Sequence, residues 1–219
     1  MFTIDAEAIF LSNYRLMICV IDYNVGNVES VCNAFRYINT ASELTADPDK
    51  LRSASGLVLP GVAAFGFAIN ALGPLAELVK ELALAGKPML GICVGYQMLF
   101  EKSCEFGEHT GLGLIKGNVV PLPSGRVIPH MGWNEVTLPK DMDLFAGMPD
   151  KKHFYFAHSF YGDVVETDVK VAYTDYDMEL AASIQKGNIF GTQFHPEKSG
   201  PQGLQILRNF TAIVEGSAG

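Results

Sequence analysis

Short apolar runs bounded by turn residues dominate the first half of the chain. Residues 17–23 (MICVIDY), 56–59 and 88–92 are each short and nearly unbroken, the pattern of strands buried on both faces. Between them apolar positions recur at helical spacing. Val28, Val31, Cys32, Phe35 and Ile38 follow a turn at residues 24–27, and helical segments run from the turn at 60–66 through residue 84, with Gly86 placed as a C-terminal cap. Residues 94–101 read as the helix after the third strand. This alternation predicts parallel strands with helices on both faces. From residue 117 to 194 the pattern is mostly that of strands, at 126–128, 135–138, 153–161, 169–174, 181–185 and 188–194, and an amphipathic helix over 203–214 closes the chain. The expectation is a three-layer α/β domain over residues 17–219 with a mainly parallel central sheet and an antiparallel extension. Residues 1–16 read as an N-terminal extension, either a disordered tail or an upstream start.

Composition narrows the classes of function. A formal net charge of −8 leaves no electrostatic footprint for nucleic acid or anionic lipid. Residues 53–76 carry no charge and are long enough to cross a bilayer. Pro60, Gly61, Gly66, Asn70, Gly73 and Pro74 break that stretch, so it reads as buried core and a site loop. Cys19, Cys32, Cys93 and Cys104 form no CxxC pair and no metal-ligand spacing; no metal and no cofactor are expected. The N-terminus, with Asp5 and Glu7, lacks a secretory pattern. Free thiols without an export signal imply the cytoplasm.

The sharpest chemical signal is Gly91-Ile92-Cys93-Val94-Gly95, directly after an apolar strand and before a helix. Glycine on both sides permits a tight strand-to-helix turn that lifts the central side chain into a cleft, a nucleophile elbow with cysteine in place of serine. A helix N-terminus behind Cys93 would favour the thiolate. Taken alone, the motif also fits a buried structural cysteine. His195-Pro196-Glu197 supplies a base and its orienting acid, because residues two apart in extended backbone share a face. The amide of Val94 and a backbone amide of Gly61 or Val62, at the end of the neighbouring strand, are the candidate oxyanion donors. His109, His130, His153 and His158 read as structural or surface residues, and Cys19 and Cys32 as packing.

Together these residues resemble the class I glutamine amidotransferase family, from about residue 17 to the C-terminus. Asp22-Tyr23 with Gly26-Asn27, Pro60-Gly61-Val62, the segment 129–134 (PHMGWN), the segment 155–159 (YFAHS) and residues 193–199 (QFHPEKS) carry the match. The resemblance implies a flavodoxin-like class I amidotransferase fold and a glutaminase that splits ammonia from glutamine. Cys93 would attack the carboxamide, His195 would act as base and Glu197 would orient it, with Gln97 and Glu105 holding glutamine. Within the family, the 129–134 segment is most similar to separate glutaminase subunits that pass ammonia to a (β/α)₈-barrel cyclase in histidine biosynthesis. Asn27, Met131, Trp133, Tyr155 and Lys198 match positions facing that partner in a heterodimer. Two departures from the pattern stand out: Ala63 where the family has glycine beside the oxyanion loop, and Asn24 at a position more often glycine. Three other readings share parts of this pattern: a glutaminase serving sugar amidination, a catalytically silent subunit, and a stand-alone cysteine hydrolase.

Overall fold

The computed structural model describes residues 16–125 and 127–217; the first fifteen residues of the expected extension lie outside the described residues. The apolar run at the start forms β1 (Ile18–Ile21), buried throughout. It is followed by α1 (Val28–Tyr37), β2 (Ser42–Thr45), α2 (Pro48–Ser53) and β3 (Gly56–Leu59). Two helices, α3 (Phe65–Leu72) and α4 (Leu75–Leu84), lead into β4 (Met89–Ile92) and the one-turn helix α5 (Val94–Gln97). The second half contributes β5 (Phe100–Ser103), β6 (His109–Thr110), β7 (Ile115–Pro121), β8 (His130–Thr137), β9 (Lys151–His158), β10 (Phe160–Val164), β11 (Lys170–Asp175), β12 (Glu179–Lys186) and β13 (Ile189–Thr192), then α6 (Gly200–Ser217).

Nine strands form one sheet in the order β2-β1-β3-β4-β13-β12-β11-β8-β9. β1 to β4 and β13 are parallel, and β12, β11, β8 and β9 continue the sheet antiparallel. The expected parallel sheet with an antiparallel extension is therefore present. The chain steps one way from β1 to β2 and the other way from β3 to β4, so right-handed crossovers place α1 and α4 on opposite faces. Accordingly α1 packs with α6, and α4 with α2 and α3. Among the described residues no helix is long and apolar enough to cross a membrane, and residues 56–59, 65–72 and 75–76 of the charge-free stretch are a strand and two helices.

Several elements differ from the sequence expectation. The helix expected over 94–101 stops after one turn. The Met98, Leu99 and Phe100 carbonyls instead accept the N–H groups of Leu112, Leu114 and Gly113 at 2.8 to 3.0 Å, and Phe100 opens β5. This strand belongs to a second sheet, β10-β7-β5-β6, which periodicity did not separate from the first. The strand expected over 153–161 breaks at Ser159, with β9 in the large sheet and β10 in the small one. Val127 and Ile128 belong to no strand, and Arg126 lies outside the described residues. Short half-exposed elements such as β2 and α2 lack the apolar density that makes a pattern visible.

Candidate active site

β4 and β13 are parallel neighbours in register, Gly91 opposite Gly191 and Ile92 opposite Thr192. Their carboxyl ends therefore deliver Cys93 and residues 193–195 to one point, where open α/β sheets form sites. The Cys93 N–H donates to Thr192 O at 2.8 Å. Cys93 has φ +53°, a conformation that strains a side chain by about 1–3 kcal/mol and persists where the surroundings impose it. The flanking glycines impose it here. A Cβ on Gly95 would sit 1.7 Å from Leu59 O, and one on Gly91 would sit 2.7 Å from Gly95 O. Helix α5 behind Cys93 is four residues long, so its dipole is weaker than the expected longer helix would supply.

His195 Nδ1 lies 2.8 Å from Glu197 Oε1, and both side chains are 2% exposed. The two-residue spacing across Pro196 achieves this inside a 3₁₀ turn, Pro196–Lys198. His195 is pinned to β9: its N–H donates to Tyr155 O at 2.9 Å, and Ser199 Oγ donates to His195 O at 2.6 Å while accepting from Tyr155 N–H at 2.9 Å. Burial pulls the imidazole toward the neutral form, but the Cys93 sulfur and the Glu197 carboxylate beside it outweigh burial and lift its pKa to about 9. Glu197 Oε2 is buried without a hydrogen-bond partner among the described residues, so this carboxylate is held through Oε1 and His195.

A cavity of about 310 Å³ opens onto Cys93 and His195, and Gln97, Glu105, Val62, Val94, Met131, His158, Phe160 and Lys198 also line it. Gln97 and Glu105 are thus brought together with the elbow. Glu105 Oε2 accepts the Phe65 N–H at 2.6 Å, capping a helix whose own N-cap residue, Ala64, has no side chain for the purpose. The expected oxyanion donors are not assembled. The Val94 N–H donates to Gly61 O at 3.3 Å, so a carbonyl of the loop faces it where a second donor was expected. Tyr23 hydroxyl donates to Pro60 O and secures the same loop from below. Ala63 does not have a positive φ, whereas Asn24 does, at +59°.

Around the cavity mouth Met131 and Trp133 are 64% and 54% exposed. Lys198 is exposed too, and Tyr155 packs edge-on to Trp133. Asn27 is exposed and caps α1 through its side chain. Sequence reasoning missed Gln193, whose Nε2 lies 3.8 Å from Cys93 Sγ. It read His158 as a structural or surface residue; Phe154, Phe156 and His158 alternate inward along β9, and His158 reaches the cavity wall.

The buried histidines contribute to both the acid and the alkaline flank of stability. Burial lowers His130 to about 4 and His158 to about 3. Below pH 6.5 the unfolded chain takes up protons that these folded rings refuse, so stability falls as pH drops from 6.5 toward 3. His195 has the opposite sign: its contribution is complete below 6.5 and is lost as pH rises through about 9. Urea unfolding across pH 4 to 10 is expected to give a maximum between these flanks, and His195→Ala to flatten the alkaline one. An unchanged alkaline flank in that variant would refute the assignment.

Comparison with known proteins identifies the family. The family "Glutamine amidotransferase class-I" matches residues 19–214. The chain is 48% identical to the imidazole glycerol phosphate synthase subunit HisH of Methanothermobacter thermautotrophicus, over 90% of this chain and 99% of that protein. It is 46% identical to the protein of the same name from Caldanaerobacter subterraneus, over 91% and 99%. In fold it is similar to PurLQS of Thermotoga maritima, with a TM-score of 0.73 at 22% identity, covering 90% of this chain and 98% of that one. A glutamine amidotransferase from the same organism gives 0.61 at 19% identity, covering 92% and 85%. The chain belongs to the class I glutamine amidotransferase family.

Proposed function

We propose that this chain is the glutaminase subunit of an imidazole glycerol phosphate synthase, working through a Cys93–His195–Glu197 triad and passing ammonia to a (β/α)₈-barrel cyclase. The observation that carries the triad is the juxtaposition of Cys93 and the 2.8 Å His195–Glu197 pair at the ends of adjacent parallel strands. His195 carries the proton at neutral pH, and the Cys93 sulfur beside it adds to the carboxamide carbon of glutamine. The imidazolium, favoured at neutral pH, protonates the departing nitrogen as the C–N bond breaks. Ammonia leaves and a thioester remains. Water, losing a proton to His195, then opens the thioester to glutamate, which frees the Cys93 sulfur and restores the imidazolium.

The Val94–Gly61 hydrogen bond supports a resting site of low activity. Turning the peptide between Gly61 and Val62 would free the Val94 N–H and point the Val62 N–H at the same place, giving the developing oxyanion two donors. Ala63 stiffens this loop relative to glycine. Partner binding at the face carrying Asn27, Met131, Trp133, Tyr155 and Lys198 is the proposed trigger, a coupling between two sites. The need for a partner follows from the product, because free ammonia in neutral water becomes ammonium and ceases to be a nucleophile. The whole reaction then takes place in the cytoplasm.

The test is glutamate release from glutamine with and without the cyclase and its acceptor ligand. Turnover that rises with both is expected; no release under any condition would refute the reading. Glu197→Gln removes the negative charge that orients and charges His195. It is expected to lower kcat about 10²–10³-fold and to move the alkaline limb of the pH–rate profile acidward from about 9. A profile unmoved in pH would remove Glu197 from the triad.

A further inference from the structure

Behind the cavity, two buried histidines form one chain of hydrogen bonds. His158 Nδ1 lies 2.8 Å from Phe160 O, and His158 Nε2 lies 2.8 Å from His130 Nδ1. Asn134 Nδ2 lies 3.3 Å from His130 Nε2 and 2.8 Å from Asp175 O. Carbonyls only accept, so the direction of every bond is fixed from the ends. The Phe160 carbonyl requires the proton of His158 on Nδ1, which leaves Nε2 an acceptor. His130 must then donate from Nδ1 and accept at Nε2 from the Asn134 amide. Asn134 cannot be reversed, since its oxygen accepts the Glu135 N–H at 2.8 Å. His130 is further held between the rings of Phe156 and Tyr176, with centroids at 4.6 and 4.0 Å.

The far end of the chain meets the cavity. Phe160 O also accepts from Gln97 Nε2 at 2.9 Å, and the same nitrogen donates to Gln193 Oε1 at 3.0 Å. Both hydrogens of the Gln97 amide are therefore spent on the protein. Phe160 stands where β9 has left the large sheet and β10 enters the small one, so the direction of its carbonyl depends on this side-chain anchor as well as on the strand ladder.

We propose that His130 and His158 are positioning residues that act through the Phe160 carbonyl to orient the Gln97 amide, leaving its oxygen as the group it offers to a bound substrate. An acceptor there, near the Glu105 carboxylate, selects a ligand with a free ammonium group. The amine class of substrate is thus set partly by two histidines acting through a backbone carbonyl. The inference rests on the glutaminase reading for the identity of the substrate, and on geometry alone for the relay.

Two measurements test it. Long-range ¹H–¹⁵N spectra of the imidazoles in the unsubstituted chain are expected to show both His130 and His158 as neutral Nδ1–H tautomers. Steady-state kinetics on glutamine, in the complex with the cyclase and acceptor ligand, supply the second. His130→Leu is expected to raise KM about tenfold with kcat nearly unchanged, as loss of uniform binding does. His130→Asn, which keeps a donor near the Nδ1 position, should restore KM. In a Gln97→Ala background the same His130→Leu change should have no further effect. An Nε2–H tautomer at either ring, or a KM effect that persists without Gln97, would overturn the proposal. Should His130→Leu fail to fold, the tautomers of the unsubstituted chain decide. A complex that never hydrolyses glutamine would sink the glutaminase reading, and the same spectra would still decide the relay.

Discussion

Cys93→Ala is expected to abolish glutamate release, by about 10⁴-fold or more, the size of loss that follows removal of an enzyme nucleophile. Three features make this substitution clean. Away from His195 the sulfur's polar contacts are long, 3.8 Å to Gln193 Nε2 and 4.0 Å to Ala157 O, so the fold loses little when it is removed. Alanine tolerates φ +53° no worse than cysteine, because the strain comes from the Cβ that both carry. His195 keeps its anchors to Tyr155 and Glu197. The variant complex, given an ammonium salt at alkaline pH, is expected to synthesise product as the unsubstituted complex does, since free ammonia bypasses the glutaminase. A variant that still splits glutamine would show that Cys93 is not the nucleophile. Loss of ammonium-driven synthesis as well would mean that assembly had failed, which size-exclusion chromatography of the complex would reveal.

Gly95→Ala has the largest expected effect on stability. The added methyl would lie 1.7 Å from Leu59 O and 2.6 Å from Leu59 C. These are backbone atoms at the end of β3, a strand buried along its whole length. Overpacking a core by a methylene costs about 1–3 kcal/mol where side chains can shift. Here the neighbour is a sheet strand, so the elbow itself must move, at a cost of at least about 3 kcal/mol. For a chain of this size that is a fall in Tm of roughly 6–12 °C, and the displaced Cys93 should lose turnover with it. A melting curve within a degree or two of the parent would show that the elbow is not packed against β3. The same argument makes Gly91 intolerant, since its Cβ would meet Gly95 O and the Tyr96 backbone.

Much of the site was legible because its rules are local. The order Gly91-Ile92-Cys93-Val94-Gly95 says that the chain must turn sharply with no Cβ on either side, and the structure supplies the two close approaches that demand it. The spacing of His195 and Glu197 is local too, and their 2.8 Å contact needs only three residues of backbone. Apolar runs located β1, β3 and β4 because strands buried on both faces have no polar positions to obscure them. The reading failed where the outcome depended on partners far along the chain. Residues 98–101 fall within the helix expected over 94–101, yet residues 111–115 pair with them and draw them into a second sheet. The alternation across 153–161 is continuous, and nothing in it marks Ser159 as the point where one sheet ends and another begins.

The sequence by itself thus determined the kind of chemistry: a sharp turn bearing a thiol, an imidazole with its acid, and a parallel α/β frame to hold them. Those features follow from side-chain periodicity, from the sterics of glycine and proline, and from neighbours a few residues apart. Tertiary structure alone decided that β13 lies beside β4 and so brings His195 to Cys93. It also decided that Gly61 presents its carbonyl to Val94, that Glu105 caps α3, and that two inward-facing histidines form a relay to Gln97. These are pairings between polar groups distant in sequence. Each is selected because burial removes water and every donor must find an acceptor within the fold, a condition that exists only once the whole sheet has closed around them.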